Sequence, residues 1–185
     1  MLRNVIFLDR DGVINQDSPD YIKSWSEFDF ISRSVDAVRD LTRNGFTIIV
    51  ITNQPAIPRK LISPQELEYV HSKMKDDIES KGGKINDIFI CPHLPSDGCD
   101  CRKPSPGLIY QAQSKYDIDL MASIMIGDSV RDIQCACNAG CGQSILVRTG
   151  NGKDAEHILA EAGLYTDYVA KDLYDAAQWL LSCKS

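Results

Sequence analysis

No stretch of this 185-residue chain comes near the roughly 20 consecutive apolar residues that a membrane-spanning helix needs. The first apolar run, VIFL at Val5–Leu8, is only four residues long and is followed at once by charge, so it does not read as a secretory leader. Positive charge is also scarce. Twenty Lys and Arg face 26 Asp and Glu, the net charge is −6, and no basic stripe runs along the chain. That balance speaks against a nucleic-acid groove but leaves room for a locally basic pocket holding a small anion. There is no internal repeat, no low-complexity segment and no linker. Cysteines number seven, an odd count that does not suit a disulfide framework in a chain expected to work in the cytoplasm. These absences leave one domain over residues 1–185, expected to act as a monomer with no membrane or nucleic-acid partner.

What is present alternates between two periods. NVIFL (Asn4–Leu8), FTIIVI (Phe46–Ile51), DIFIC (Asp87–Cys91), SIMI (Ser123–Ile126) and SILV (Ser144–Val147) are short, apolar and bounded by polar residues. Runs of that kind suit strands buried on both faces of a parallel sheet. Helix-length amphipathic segments lie between them at Val35–Asn44, Pro64–Lys81, Gly107–Tyr116 and Val130–Ala139. Ser63, Pro64 and Glu66 predict an N-cap, a first-turn proline and a capping box, and Ser105–Pro106 repeat that opening. Gly45 and Gly82–Gly83 mark helix ends. The order predicts an α/β, doubly wound, Rossmann-like parallel sheet. From Asn151 onward the pattern reads as helical.

In such sheets ligands bind beyond the carboxyl ends of the strands. The first strand is followed by Asp9-Arg10-Asp11-Gly12, the second by Thr52-Asn53-Gln54, the third by a cysteine cluster and Arg102-Lys103, and the fourth by Gly127-Asp128-Ser129 with Asp132. A parallel sheet brings all four groups to one rim. Asp9 and Asp128 suit one hard divalent cation, Mg²⁺. Asp9 can attack phosphorus, and Asp11 can protonate the leaving oxygen and then deprotonate a water. Thr52 and Asn53 offer neutral donors to phosphoryl oxygens, and Lys103 a fixed positive charge. A lone D-x-D would more often be a solvated turn; the ordered set is what carries the reading.

FLDRDGVIN, VITNQ, RKPSPG and MIGDSVRDI, in that order from about Phe7 to Val147, resemble the four motifs of the haloacid dehalogenase superfamily. The resemblance implies an Mg²⁺-dependent phosphatase working through an aspartyl-phosphate. It implies Asp9 as nucleophile, Asp11 as general acid/base, Thr52 and Lys103 as phosphate ligands, and Asp9, Asp128 and the Asp11 carbonyl on the metal. Asp132 is implied as a supporting acid.

Cys91, His93, Cys99 and Cys101 supply four soft ligands on one loop, the number a tetrahedral structural Zn²⁺ needs. A catalytic zinc would leave a position open, so the expected role of residues 91–101 is a clamp that fixes Arg102 and Lys103. Cys135, Cys137 and Cys141 have no soft partner nearby and read as small core residues. His71 and His157, in polar helical surroundings, read as surface residues.

About fifty residues separate the TNQ and RKP motifs, filled by one helix, a strand and the metal loop, which leaves no space for a cap domain. Two capless branches of the superfamily combine this with a zinc loop ending in CDCRKP. One acts on D-glycero-D-manno-heptose 1,7-bisphosphate, the other on histidinol phosphate. The five-residue gap between His93 and Cys99 resembles the histidinol branch. DRDGVINQDSPDYI, FDFI, RKPSPGLI and LVRTGNG resemble the heptose branch more closely, and that substrate is favoured. Asp17 and Tyr21 would then border the sugar, Gln54 would join Thr52 and Asn53 in binding substrate phosphate, Arg59 would support the site, and Arg102 would grip the second phosphate. Pro55, where the heptose branch carries serine, removes a hydroxyl and an N–H donor. A polynucleotide 3′-phosphatase and a non-catalytic zinc-loop module are alternatives of other classes, disfavoured by the acidic charge and by the intact Asp9/Asp11 pair.

Overall fold

The structure, a computed structural model, describes residues 1–183. Six strands, β1 (Val5–Leu8), β2 (Thr47–Asn53), β3 (Asp87–Cys91), β4 (Ile124–Gly127), β5 (Gln143–Val147) and β6 (Tyr168–Ala170), form one sheet in the order β3-β2-β1-β4-β5-β6. Every pairing is parallel. Six helices connect or follow them: α1 (Ser34–Arg43), α2 (Pro64–Ser80), α3 (Gly107–Tyr116), α4 (Val130–Ala139), α5 (Gly152–Glu161) and α6 (Leu173–Ser182). The expected doubly wound sheet is observed. Among the described residues no helix is long and apolar enough to cross a membrane.

The pleat explains the two-sided core. Ile6 and Leu8 of β1, with Ile48 and Val50 of β2, face α1, α2 and α6. Val5 and Phe7, with Ile49 and Ile51, face α3 and α4. All eight are fully buried, and burying each such side chain is worth about 1.5–3 kcal/mol. This is why β1 and β2 read as unbroken apolar runs. β3 departs from the expectation of burial on both faces. It is an edge strand, half-exposed along most of its length, with Ile90 exposed.

Ser63 caps α2 as expected, accepting from the Glu66 N–H at 3.1 Å while the Glu66 carboxylate accepts from the Ser63 N–H at 2.8 Å. The matching expectation for α3 fails: Pro106 occupies its N-cap position, and the Ser105 side chain does not cap it. The segment after Asn151 is not all helix, because the three-residue β6 separates α5 from α6. Two further expectations are corrected. His71 lies on the apolar stripe of α2 with Leu67, Val70, Met74 and Ile78, and it is buried, not at the surface. Cys135 is buried on α4, but Cys137 is exposed and Cys141 half-buried, so only the first is a core residue. His157 is exposed, as expected.

Chain order reverses between β1 and β4, the two central strands. A crevice opens there at the carboxyl ends, where doubly wound sheets place their ligands.

Candidate active site and metal centres

β1 ends at Leu8, paired with Val50 and Ile126, so Asp9 emerges at the rim between β2 and β4. Its backbone N–H still donates to Ile126 O at 3.0 Å, extending the sheet by one bond. Asp9, Asp128 and Asp132 each bring a carboxylate oxygen within 4.8 Å of the others. Lys103 holds this cluster together. Its Nζ lies 2.9 Å from Asp9 Oδ1 and 2.7 Å from Asp132 Oδ1, and donates to Ile51 O at 2.9 Å. Burial opposes the lysine charge, but Asp132 and Asp9 more than offset it, and its pKa lies above the ordinary lysine value.

One lysine does not balance three carboxylates. Burial lifts the Asp9 pKa well above its usual value, Lys103 pulls it down, and the charges of Asp132, Asp128 and Asp11 lift it further. Asp128 is pushed up to about 7, by burial first and by Asp132 second, despite hydrogen bonds from Asn151. Asp132 is the least available of the three: its Oδ2 accepts from Ser129 N at 3.0 Å and Ser129 Oγ at 2.7 Å, forming the capping box of α4. The remaining acceptors, on Asp9 and Asp128, form an all-oxygen site short of positive charge, which fits Mg²⁺. The walls around Asp128 are bare backbone. A Cβ on Gly12 or on Gly150 would sit 2.2 or 2.1 Å from Asp128 Oδ2, and both glycines have positive φ, so only glycine fits.

The Asp11 carboxylate is turned away from this cluster. Arg10 grips it with Nε (3.1 Å) and Nη2 (2.7 and 2.9 Å), Asn15 Nδ2 donates at 2.9 Å, and Gln54 Nε2 at 3.0 Å. Burial alone would lift its pKa. The Arg10 charge and these hydrogen bonds outweigh that and hold it below the usual value. Asp11 nevertheless lines the same cleft as Asp9, about 470 Å³ in volume, together with Asp17, Tyr21, Thr52, Asn53, Arg102, Lys103 and Asp128.

Two of the expected site residues do not line that cleft. Gln54 is buried beneath it, bonded to Asp11 and to Thr52 Oγ1 at 2.9 Å. Arg59 is exposed, its guanidinium 5.8 Å from the Tyr21 ring centroid. Asn53 reaches the cleft, but its side-chain amide is engaged with the Lys103 backbone, donating to O at 3.2 Å and accepting from N at 3.1 Å. It therefore fixes the lysine from across the sheet. Sequence reasoning missed Asn151, whose backbone N–H donates to Asp128 Oδ2 at 2.8 Å and whose amide donates to Asp128 and Asp17. The available signal was its place just past the fifth strand end. Arg131, Asp154 and Ile158 also line the cleft and were not anticipated.

A second cluster sits where β3 ends. Among Cys91, His93, Cys99 and Cys101 five of the six Sγ and Nδ1 pairs are 3.2–3.6 Å apart, and one donor atom from each residue lies within 4.8 Å of all the others. Tetrahedral zinc with Zn–S near 2.3 Å implies donor separations of about 3.7 Å, so four such donors converge as a Zn²⁺ site requires. Crowding separates the thiols. Burial would raise Cys99, but bonds from Cys101 and Cys91 and backbone N–H groups take it down to about 7. Burial and its two thiol neighbours push Cys101 up to about 12. The loop is tied to the cleft by Arg102, which donates to His93 O at 3.0 Å.

Comparison with known proteins agrees with this geometry. Residues 100–176 match the HAD-hydrolase-like family. The chain is 42% identical to D-glycero-β-D-manno-heptose-1,7-bisphosphate 7-phosphatase of Bordetella bronchiseptica over 178 residues, covering 96% of this chain and 97% of that one. It is 38% identical to a D-glycero-α-D-manno-heptose-1,7-bisphosphate 7-phosphatase of Photorhabdus laumondii, covering 88% and 93%. A crystal structure of the B. bronchiseptica D,D-heptose 1,7-bisphosphate phosphatase, complexed with magnesium and phosphate, superposes with a TM-score of 0.90 over 97% of this chain and 98% of that one. Matched over nearly its whole length at that identity, with an Asp9–Asp128–Lys103 cluster at the switch point of its sheet, the chain belongs to the haloacid dehalogenase-like phosphatases and is a phosphoric monoester hydrolase.

Proposed function

We propose that this protein removes the 7-phosphate of D-glycero-D-manno-heptose 1,7-bisphosphate through an aspartyl-phosphate, as a step in nucleotide-activated heptose synthesis. The observation that carries this reading is the meeting of Asp9, Lys103 and Asp128 at one strand-end crevice in a chain so similar to heptose bisphosphate phosphatases. Residues 1–185 act as one capless domain, monomeric and cytoplasmic, where its sugar phosphate would be found. The acidic charge argues against a nucleic-acid substrate.

Asp9 Oδ1 accepts from the Arg10 N–H at 2.7 Å and from Lys103, which leaves Oδ2 as the attacking oxygen. As the bond from Oδ2 to phosphorus forms and the bond from phosphorus to the sugar oxygen breaks, the Asp11 carboxyl passes its proton to that oxygen. Asp11 then takes a proton from a water, which attacks phosphorus and frees Asp9 and inorganic phosphate. The carboxylate held by Arg10 is the form this second step needs. In the first step the side chain turns into the cleft it already lines, carrying the proton it took from the attacking water in the preceding turnover. Lys103 stays cationic throughout and, with the Thr52 hydroxyl, faces the phosphoryl oxygens. Asp9, Asp128 and the Asp11 carbonyl would hold Mg²⁺, which when bound neutralises charge on the phosphoryl oxygens. Arg102, at the mouth, suits the second phosphate, and Asp17 and Tyr21 border the sugar. Cys91, His93, Cys99 and Cys101 would hold structural Zn²⁺ and so keep Arg102 and Lys103 in place.

The test is phosphate release with Mg²⁺ from both anomers of the heptose bisphosphate and from histidinol phosphate. The expected outcome is a preference of about a hundredfold in kcat/KM for one heptose anomer, or ~2.7 kcal/mol of transition-state discrimination. A preference for histidinol phosphate instead would overturn the substrate assignment and make the short His93–Cys99 gap the informative feature.

A further inference from the structure

His71 takes no part in the chemistry above, yet it is one of the few buried polar side chains in the molecule. It lies on α2, on the face that packs against the sheet, and its Nε2 is 2.9 Å from Arg10 Nη1. A guanidinium can only donate, so Nε2 is the acceptor and the ring hydrogen sits on Nδ1. Burial, and then the Arg10 charge, keep this imidazole neutral by lowering its pKa to about 3, with Asp11 opposing only in part.

Arg10 is itself 1% exposed. Its Nε and Nη2 fork points at Asp11, and its third corner, Nη1, points at His71. We propose that His71 is a positioning residue for the acid step: by accepting from Nη1 it fixes the plane of the Arg10 guanidinium, and so fixes where the Asp11 carboxyl rests and from where it swings toward the leaving oxygen. Three bonds to Asp11 share the fork, and a planar group held at only one edge can still pivot about that edge. The contact at the opposite corner removes the pivot. Asn15, on the same loop, and Gln54, just past β2, also bond the Asp11 oxygens, but neither is bonded to the guanidinium. Among the described residues, His71 is the side chain other than Asp11 that bonds the Arg10 guanidinium.

This inference rests on the proposed role of Asp11 as the group that protonates the leaving oxygen, and the test separates the two. An alkyl ester needs that proton because its alkoxide is a poor leaving group, whereas p-nitrophenolate departs without it. kcat/KM covers steps up to leaving-group departure, so it isolates the acid step. For His71→Leu we expect kcat/KM to fall about tenfold on the sugar or histidinol phosphate the enzyme accepts, and to stay within about twofold on p-nitrophenyl phosphate. His71→Gln, whose amide oxygen can accept from Nη1, should recover most of the loss on the alkyl ester. Far-UV circular dichroism and melting temperature establish that both variants fold. Equal losses on the two esters, or identical behaviour of the leucine and glutamine variants, would overturn the role of His71. Asp11→Asn is the control. If it shows no greater loss on the alkyl than on the aryl ester, the acid assignment of Asp11 fails. If it shows that split and His71→Leu does not, only the inference about His71 fails.

Discussion

Among the described residues two clusters converge as metal sites do, and they are assembled in opposite ways. The carboxylates come from two places far apart in the chain, Asp9 at the end of β1 and Asp128 with Asp132 at the end of β4 and the first turn of α4, and the sheet brings them together. The soft ligands Cys91, His93, Cys99 and Cys101 come from a single loop at the edge of the sheet. The first cluster is buried and pre-tied by Lys103, with all three amine donors used. The second is partly exposed, and only Cys91 is anchored in a strand. The comparison teaches that the carboxylate site is a product of the fold, set by the sheet and by Lys103, whereas the thiol donors lie on one loop whose fixation is the role proposed for Zn²⁺. Removing a carboxylate should therefore remove chemistry and leave the fold, and removing a thiol should do the reverse.

The largest effect is expected at Asp9. Asp9→Asn should lower phosphate release by a factor of about 10³ or more while leaving the melting temperature unchanged or raised, since it deletes a buried charge from a crowded cluster. Steady-state turnover together with calorimetry checks both halves. Activity within tenfold of the parent would exclude Asp9 as the nucleophile, and collapse of the fold would break the contrast. Cys99→Ser comes next and should fail in the other direction. Metal analysis should find about one zinc per chain in the parent and almost none in the variant, with a melting temperature lower by several degrees. Because Arg102 donates to His93 O, loosening the loop should also raise KM about tenfold, with a smaller effect on kcat. Normal zinc content in the variant would mean that the four donors do not form one site.

The same contrast explains what the sequence disclosed. The thiol cluster was legible because its four ligands fall within eleven residues, and the carboxylate cluster because Asp9 and Asp128 each come directly after a short apolar run that reads as a strand, with Asp132 four residues on. What stayed hidden depends on side-chain direction. The TNQ motif gave Asn53 and Gln54, but not that one braces Lys103 and the other Asp11. His71 looked like a surface residue because its sequence neighbours are polar, yet it falls four residues after Leu67 and three before Met74, on the buried stripe of α2. β6 escaped because Tyr168–Ala170 is too short for an alternation to register, and the exposure of β3 because an apolar run does not say which strand lies at an edge. Asn151 lies in the stretch LVRTGNG, but that resemblance gives it no role, and it is identified by what it touches.

The smallest expected effect bears most directly on whether the carboxylate site is preformed. Asp128 has a folded-state pKa of about 7, raised by burial and by Asp132, against about 3.9 for an ordinary unfolded Asp. A carboxyl raised in the folded state favours folding while it is protonated, and that contribution disappears as pH rises through the folded value. Without a divalent cation, this group therefore lowers stability progressively between about pH 4 and pH 7. A cation on the ionised carboxylate takes the place of the lost proton, so its stabilising effect should grow over the same interval. With saturating Mg²⁺ against chelator, the rise in melting temperature should be a few degrees larger at pH 8 than at pH 5.5. Asp128→Asn should flatten the difference, because an amide neither titrates nor carries the charge that attracts the ion. The zinc loop provides the internal comparison, since its donors do not include Asp128: Cys99→Ser should lower the melting temperature at both pH values while leaving the Mg²⁺ increment and its pH dependence as in the parent. An Mg²⁺ increment that is the same at both pH values in the parent protein would mean that Asp128 is already ionised without the metal, and that the site lacks the charge deficit assigned to it.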